Sequence, residues 1–169
     1  LTKWLSGHGT SIGGIVIDGS GKDRFVADVR VADGRIAAIG ADLTVDNAVV
    51  LDVTGKIVAP GFIDVQANGG GGALLNQAPT AETVTRIAQS HRRYGTTGLL
   101  PTVITDAPSV LDAAIAAVTA ARRNEPSVLG IHIEGPFLDV ERKGAHAARF
   151  IREMTMADVE HVAAAGCGT

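Results

Sequence analysis

Cysteine is nearly absent from this 169-residue chain: Cys167 stands alone. A single thiol excludes an intramolecular disulfide and any zinc site built on cysteine pairs, and it suits a reducing cytoplasm. His-x-His and His-Glu-x-x-His, the usual sequence signs of a zinc enzyme, are missing as well. No uninterrupted apolar run approaches the ~18 residues of a membrane span. The first twenty residues lack a basic region followed by an apolar stretch, so no signal peptide is expected either. Positive charge is not in excess: 15 Lys and Arg against 18 Asp and Glu leave a net charge of −3. That balance speaks against nucleic acid as the main partner. What remains is 46% hydrophobic and 20% charged residues, a composition that buries a core rather than staying disordered. The expectation is a soluble, intracellular, globular protein. The chain opens at Leu1 without a Met, so its natural start is expected upstream.

The pattern changes near Pro60. Before it lie short β-type runs: Ile15–Ile17, Asp28–Val31, Ile36–Ile39 and Val49–Val53. Asp33-Gly34 falls between two of them and predicts a hairpin turn, because both central positions want φ > 0. Residues 1–55 therefore read as a small sheet. After Pro60 a strand is followed by a helix three times. The strands are predicted at Gly61–Ala67, Gly98–Thr102 and Val128–Glu134, the helices at Thr80–Tyr94, Ser109–Asn124 and Thr155–Ala165. Thr80 and Thr155 are candidate N-caps, Pro108 a helix entrance, and Gly95 and Gly166 candidate left-handed stops. Alternating β and α at this spacing signals a parallel sheet. Three units are too few to close a barrel of about eight, so an open sheet with helices on both faces stands beside part of a barrel.

Two of these strands carry polar ends. By alternation, Asp64, Gln66 and Asn68 share one face of the first strand, and His132 and Glu134 one face of the third. A central parallel strand is normally apolar on both faces, so these groups need partners or ligands. Two readings are open for each. Glu134 is either a ligand at the carboxyl end of the sheet or a carboxylate held by an arginine or backbone amides. His132 is either a site group or a satisfied core histidine. Gln66 and Asn68 either face a site or pin the following loop. The Gly69–Gly72 run lacks the Lys-Ser or Lys-Thr of a phosphate loop. His146, in Lys143-Gly144-Ala145-His146, lies past Glu134 on the same side. His91 and His161 read as helix-surface residues.

The string Ala59-Pro60-Gly61-Phe62-Ile63-Asp64-Val65-Gln66-Ala67-Asn68-Gly69 resembles the first barrel strand of the amidohydrolase superfamily, with Gln-x-Asn in place of His-x-His. Leu100-Pro101-Thr102-Val103-Ile104-Thr105, His132-Ile133-Glu134-Gly135-Pro136-Phe137-Leu138 and Lys143–His146 follow in order. Together they are similar to the N-acetylglucosamine-6-phosphate deacetylase family, in its N-terminal portion. The resemblance implies the first three βα units of a (β/α)8 TIM-type barrel, residues 56–169, preceded by part of a small β-sandwich domain, residues 1–55. It implies a metal-dependent hydrolase that removes acetate from N-acetylglucosamine 6-phosphate. One divalent ion per site is expected, zinc, iron, cobalt or manganese, with Glu134 as its carboxylate ligand and Gln66 reaching it through water. Ala145 and His146 match substrate-binding positions, and Asn68 and His132 would stand behind them. The general-base aspartate and two histidine ligands are expected beyond Thr169, so no catalytic base is assigned here and the 169-residue chain alone is predicted inactive. The implied partners are a small amino-sugar phosphate and, at full length, a second copy in a homodimer, with neither nucleic acid nor membrane. An N-acetylgalactosamine-6-phosphate deacetylase would share these motifs. A non-catalytic α/β binding domain is the alternative from another class.

Overall fold

The structure is a computed structural model that describes residues 15–17, 24–44 and 48–165. The chain divides into two compact units at the Gly61–Phe62 bond. In the first, β1 (Ile15–Ile17) pairs antiparallel with β2 (Arg24–Val26) and parallel with β5 (Ile57–Val58). A separate hairpin joins β3 (Asp28–Ala32) to β4 (Arg35–Gly40). Asp33 and Gly34 form its turn with φ of 50° and 71°, as the dipeptide predicts. Val29 and Val31 are buried and Asp28, Arg30 and Ala32 half-buried, the alternation of a strand with one covered face.

The predicted strand at Val49–Val53 does not form. Val49, Val50 and Leu51 are exposed and have no ladder partner among the described residues, and the short pairing segment comes later, at Ile57–Val58. A β-branched run is compatible with a strand but becomes one only when another edge meets it. His8, Gly166 and Cys167 lie outside the described residues.

The second unit is built on a parallel sheet of β6 (Phe62–Ala67), β7 (Thr96–Ile104) and β8 (His132–Glu134), with β7 in the middle. Helices α1 (Ala81–Arg92) and α2 (Pro108–Ala121) pack on one another and on β7. Their buried residues recur at helical spacing: Val84, Ile87 and Ala88 on α1, then Ala114, Ala117, Val118 and Ala121 on α2. With Ala67, Leu75, Leu99, Val103 and Val128 they make one core cluster. Burying a Leu or Ile there stabilises by roughly 1.5–3 kcal/mol.

The helix starts follow local chemistry. Thr80 Oγ1 accepts from Thr83 N at 3.3 Å and Pro108 stands in the first turn of α2. On α3 (Met156–Ala164) Thr155 and Asp158 close a reciprocal capping box. After α1, Gly95 takes φ +95°.

Strand β7 is longer at both ends than predicted, and the third strand shorter. Val128 touches the sheet only through a bridge to Leu99, and regular pairing begins at Thr102 opposite His132, one residue out of step with that bridge. Register also slips between β6 and β7: Asp64 lies opposite Leu99, and Ala67 opposite Pro101. Pro101 has no N–H for a ladder, and a parallel pair accommodates it at such an irregularity.

Candidate active site at the end of the third parallel strand

The slip at Pro101 decides where the polar residues of β6 go. Alternation predicts Asp64, Gln66 and Asn68 on one face, but the structure turns Asp64 toward the helices with Ala67. The Asp64 carboxylate lies 3.6 Å from His91 Nδ1 on α1, while Ala67 is in the core under the same helices. Gln66 and Asn68 are exposed, beside Ile63 and Val65, which are 65% and 63% exposed. An extra residue in a strand breaks the two-residue period, so face assignments made across it fail.

His91 is therefore a half-buried residue with a neighbour at each ring nitrogen, not a free one on the helix surface. Its Nε2 lies 2.9 Å from the Gly69 carbonyl oxygen, and its Nδ1 faces Asp64. The glycine run folds tightly over α1, with Gly70 and Ala73 exchanging backbone hydrogen bonds. A Cβ on Gly70 would come within 2.4 Å of Ser90 Oγ, so what the glycine backbone approaches so closely is this helix. His161 is exposed as predicted, 2.8 Å from Asp112 on α2.

On β8 the predicted cluster does assemble. The register places Thr102 opposite His132 and Ile104 opposite Glu134. His132 Nδ1 lies 3.3 Å from Thr102 Oγ1. Glu134 Oε1 lies 3.4 Å from Nε2 of His146, whose ring is mostly buried. Nδ1 of the same ring is 2.8 Å from the Thr105 hydroxyl, which also lies 3.3 Å from the Glu134 backbone oxygen. The second carboxylate oxygen, Oε2, is buried without a hydrogen-bond partner. Burying a carboxylate oxygen with nothing to neutralise it is costly, and a cation is the usual remedy. The partner that sequence reasoning left open as an arginine is His146.

Gly135 makes this approach possible. It has φ +92°, and a Cβ there would stand 2.0 Å from Thr105 Oγ1. Beyond it, the Arg152 N–H donates to the Pro136 carbonyl at 3.2 Å and the guanidinium lies 5.0 Å from the Phe137 ring centroid. Arg152 also donates to Asp158 at 2.7 Å. That bond, together with the Thr155 hydroxyl and N–H, holds the Asp158 carboxyl well below the usual carboxylate range. Arg152, paired by the same bond, is raised.

Ala145 is exposed in the turn before His146, whose N–H donates to the Lys143 carbonyl at 3.0 Å. No hydrogen bond among the described residues joins Gln66, Asn68 or Ala145 to Glu134 or His146 through a side chain. Nor does any group of three His, Cys, Asp or Glu able to hold a metal occur among them. Sequence reasoning missed Thr105, although a polar residue just past a strand end, beside a site strand, is the signal that finds it. It also missed Glu125, buried at the other end of the sheet, where it is ion-paired with Arg92 and accepts from Ser127 Oγ at 2.7 Å. No helix among the described residues is long and apolar enough to cross a membrane.

No family model matches the chain. An N-acetylgalactosamine-6-phosphate deacetylase from Shewanella sp. (strain ANA-3) is 44% identical to it over 132 residues, 75% of this chain and 33% of that protein. Its homologues are amino-sugar-phosphate deacetylases. An N-acetylglucosamine-6-phosphate deacetylase from Haemophilus influenzae is 36% identical over 106 residues, 62% of this chain and 28% of that protein. The crystal structure of N-acetylglucosamine-6-phosphate deacetylase from Pasteurella multocida superposes with a TM-score of 0.84 at 27% identity, over 93% of this chain and 42% of that one. The family resemblance read from the motifs holds, and the fold class is α/β. The chain spans about a third of the length of the curated relatives it matches.

Proposed function

We propose that the protein of which this sequence is at least a part hydrolyses the acetamide of N-acetylglucosamine 6-phosphate, releasing acetate and glucosamine 6-phosphate. The observation that carries the reading is the buried, unpartnered oxygen of Glu134 beside His146, inside the motif set shared with the deacetylases. Two helices packed on each other and on the middle strand of a parallel sheet support reading residues 56–169 as the first three units of a (β/α)8 barrel. Residues 1–55 fit part of a small β-sandwich. The lone cysteine suits a cytoplasmic enzyme, and a homodimer is the expected assembly.

The unpartnered Glu134 oxygen would take one divalent cation, and the resemblance adds Gln66 reaching it through water. Such an ion would polarise the amide carbonyl and make its water more acidic. Zinc, iron, cobalt or manganese would serve. Glu134 supplies negative charge from a site at the tip of β8. His146 brings a ring nitrogen to the same place, and with Ala145 lies where the sugar phosphate would bind. His132 and Asn68 would orient the groups in front of them.

The galactosamine epimer is the second reading, favoured by the 44% identity to the Shewanella protein. Metal content and acetate release on the intact gene product, with both 6-phosphates, test the proposal. Glu134→Gln should lower metal occupancy at least tenfold while the fold persists, since a neutral amide replaces the carboxylate that carries the buried, unpartnered oxygen. Unchanged occupancy would remove the ligand role, and wild-type protein inert toward both sugars would remove the activity.

A further inference from the structure

Between Pro136 and Arg152 the chain forms a loop that carries Ala145 and His146, and none of residues 137–151 is fully buried. Its backbone bonds close short turns within it: the Arg142 N–H donates to the Asp139 carbonyl, His146 to Lys143 and Phe150 to Ala147, each at 3.0 Å. A cavity of about 450 Å³, lined by Ile133 on β8, Leu111 on α2 and Phe137 and Ile151 of the loop, lies where packing would otherwise hold it. A loop with so little core of its own stays closed only if its ends are tied. Both ends meet at Arg152. Its N–H donates to the Pro136 carbonyl at 3.2 Å, and its guanidinium lies 5.0 Å from the Phe137 ring centroid. The same guanidinium donates to both carboxylate oxygens of Asp158, in the first turn of α3. That carboxylate is already fixed, because the Thr155 N–H and hydroxyl donate to it at 2.8 and 2.7 Å. An exposed ion pair ordinarily contributes little, since two long side chains must be frozen to make it. Here one partner is held beforehand and the other is a planar fork with a ring beneath it, so less freedom is lost.

We propose that Arg152 is a positioning residue: it clasps the two ends of the 136–152 loop together and to α3, and so keeps the loop closed over the end of β8. Arg152 touches neither Ala145 nor His146 through any bond described above and acts on them only by limiting how far the loop can open. The effect on turnover rests on the deacetylase reading. A loop closed before the sugar phosphate arrives need not be ordered on binding, so the clasp lowers KM and leaves kcat nearly as it is.

The test combines amide exchange and kinetics on the intact gene product. In Arg152→Ala the amides of residues 137–151 should exchange roughly tenfold faster, while those of α1 and α2 keep their wild-type rates. Arg152→Lys keeps the charge without the fork or the stacked plane and should open the loop nearly as far, whereas Phe137→Tyr keeps a ring under the guanidinium and should leave it closed. Asp158→Asn should act as Arg152→Ala does, and the double variant should be little worse than either single one. Each opened variant should raise KM roughly fivefold with kcat within about twofold of wild type. Loop exchange at the wild-type rate in Arg152→Ala overturns the proposal. So does acceleration shared equally by the loop, α1 and α2, which is what a general loss of stability gives, and so does a fall in kcat with KM unmoved. Should the alanine variant not fold, Arg152→Lys decides by the same readings. Exchange needs no substrate, so a wild-type protein that releases no acetate would end the deacetylase reading, while the exchange rates would still decide whether Arg152 holds the loop.

Discussion

Strands β6 and β8 look alike in sequence, since each ends in polar residues spaced two apart. They behave differently once paired. On β8 the ladder to β7 runs without interruption from His132 to Glu134, and the alternation survives: Glu134 reaches His146, and His132 reaches Thr102. On β6 the ladder slips before Pro101, Asp64 turns to α1, and Gln66 and Asn68 end exposed. Polar spacing alone thus marks a candidate site, while the pairing partner decides which residues share it.

The contrast breaks most sharply at the tip of β8. Gly135→Ala combines a left-handed backbone with a Cβ pressed on Thr105, and should cost about 3 kcal/mol, read from the urea midpoint. A loss below about 1 kcal/mol would mean that the close approach is relaxed in solution. Metal binding sharpens the same comparison. Gln66→Ala should weaken affinity only about threefold, against at least tenfold for Glu134→Gln, because a contact through water yields less than a charged ligand. Calorimetric titration of both variants would show it, and equal losses would erase the difference between the strands.

On β6, His91→Ala should cost about 1 kcal/mol by releasing the Gly69 carbonyl and Asp64. Thermal unfolding measures it, and faster amide exchange across Gly70–Ala73 should accompany it. The smallest effect belongs to Asp158. Its carboxyl is held below the usual range in the folded protein, so its contribution is complete only above about pH 5, where the unfolded group is also ionised. It is lost as the pH falls toward the folded value. The stability gap between wild type and Asp158→Asn should therefore be constant above about pH 5 and close on the acid side; a gap that widens in acid would contradict the sign.

Features set by a few neighbouring residues were legible in the sequence. The caps at Thr80 and Thr155, the turn at Asp33-Gly34 and the entrance at Pro108 each depend on local hydrogen bonds or a fixed φ. Glu134 and His146 were legible as site candidates through their motifs, and the structure brings them together. Features that need two distant segments were not. The missing strand at Val49–Val53 lacks a partner edge, the slip at Pro101 arises between two strands, and the Asp64–His91 contact follows from that slip. Thr105 was hidden because a hydroxyl acquires meaning only from the ring that lies against it.

The Asn76 side chain behaves as a short piece of borrowed backbone. Its amide donates to the Ile104 carbonyl at 3.0 Å and to Asp106 at 3.1 Å, and its oxygen accepts from the Ile104 N–H at 3.0 Å. Deamidation, a spontaneous lesion of ageing proteins, would leave a carboxylate facing two acceptors there, one of them already negative. The first damage would fall one residue before Thr105, so an old preparation could lose the arrangement around His146 while its helices and core remained intact.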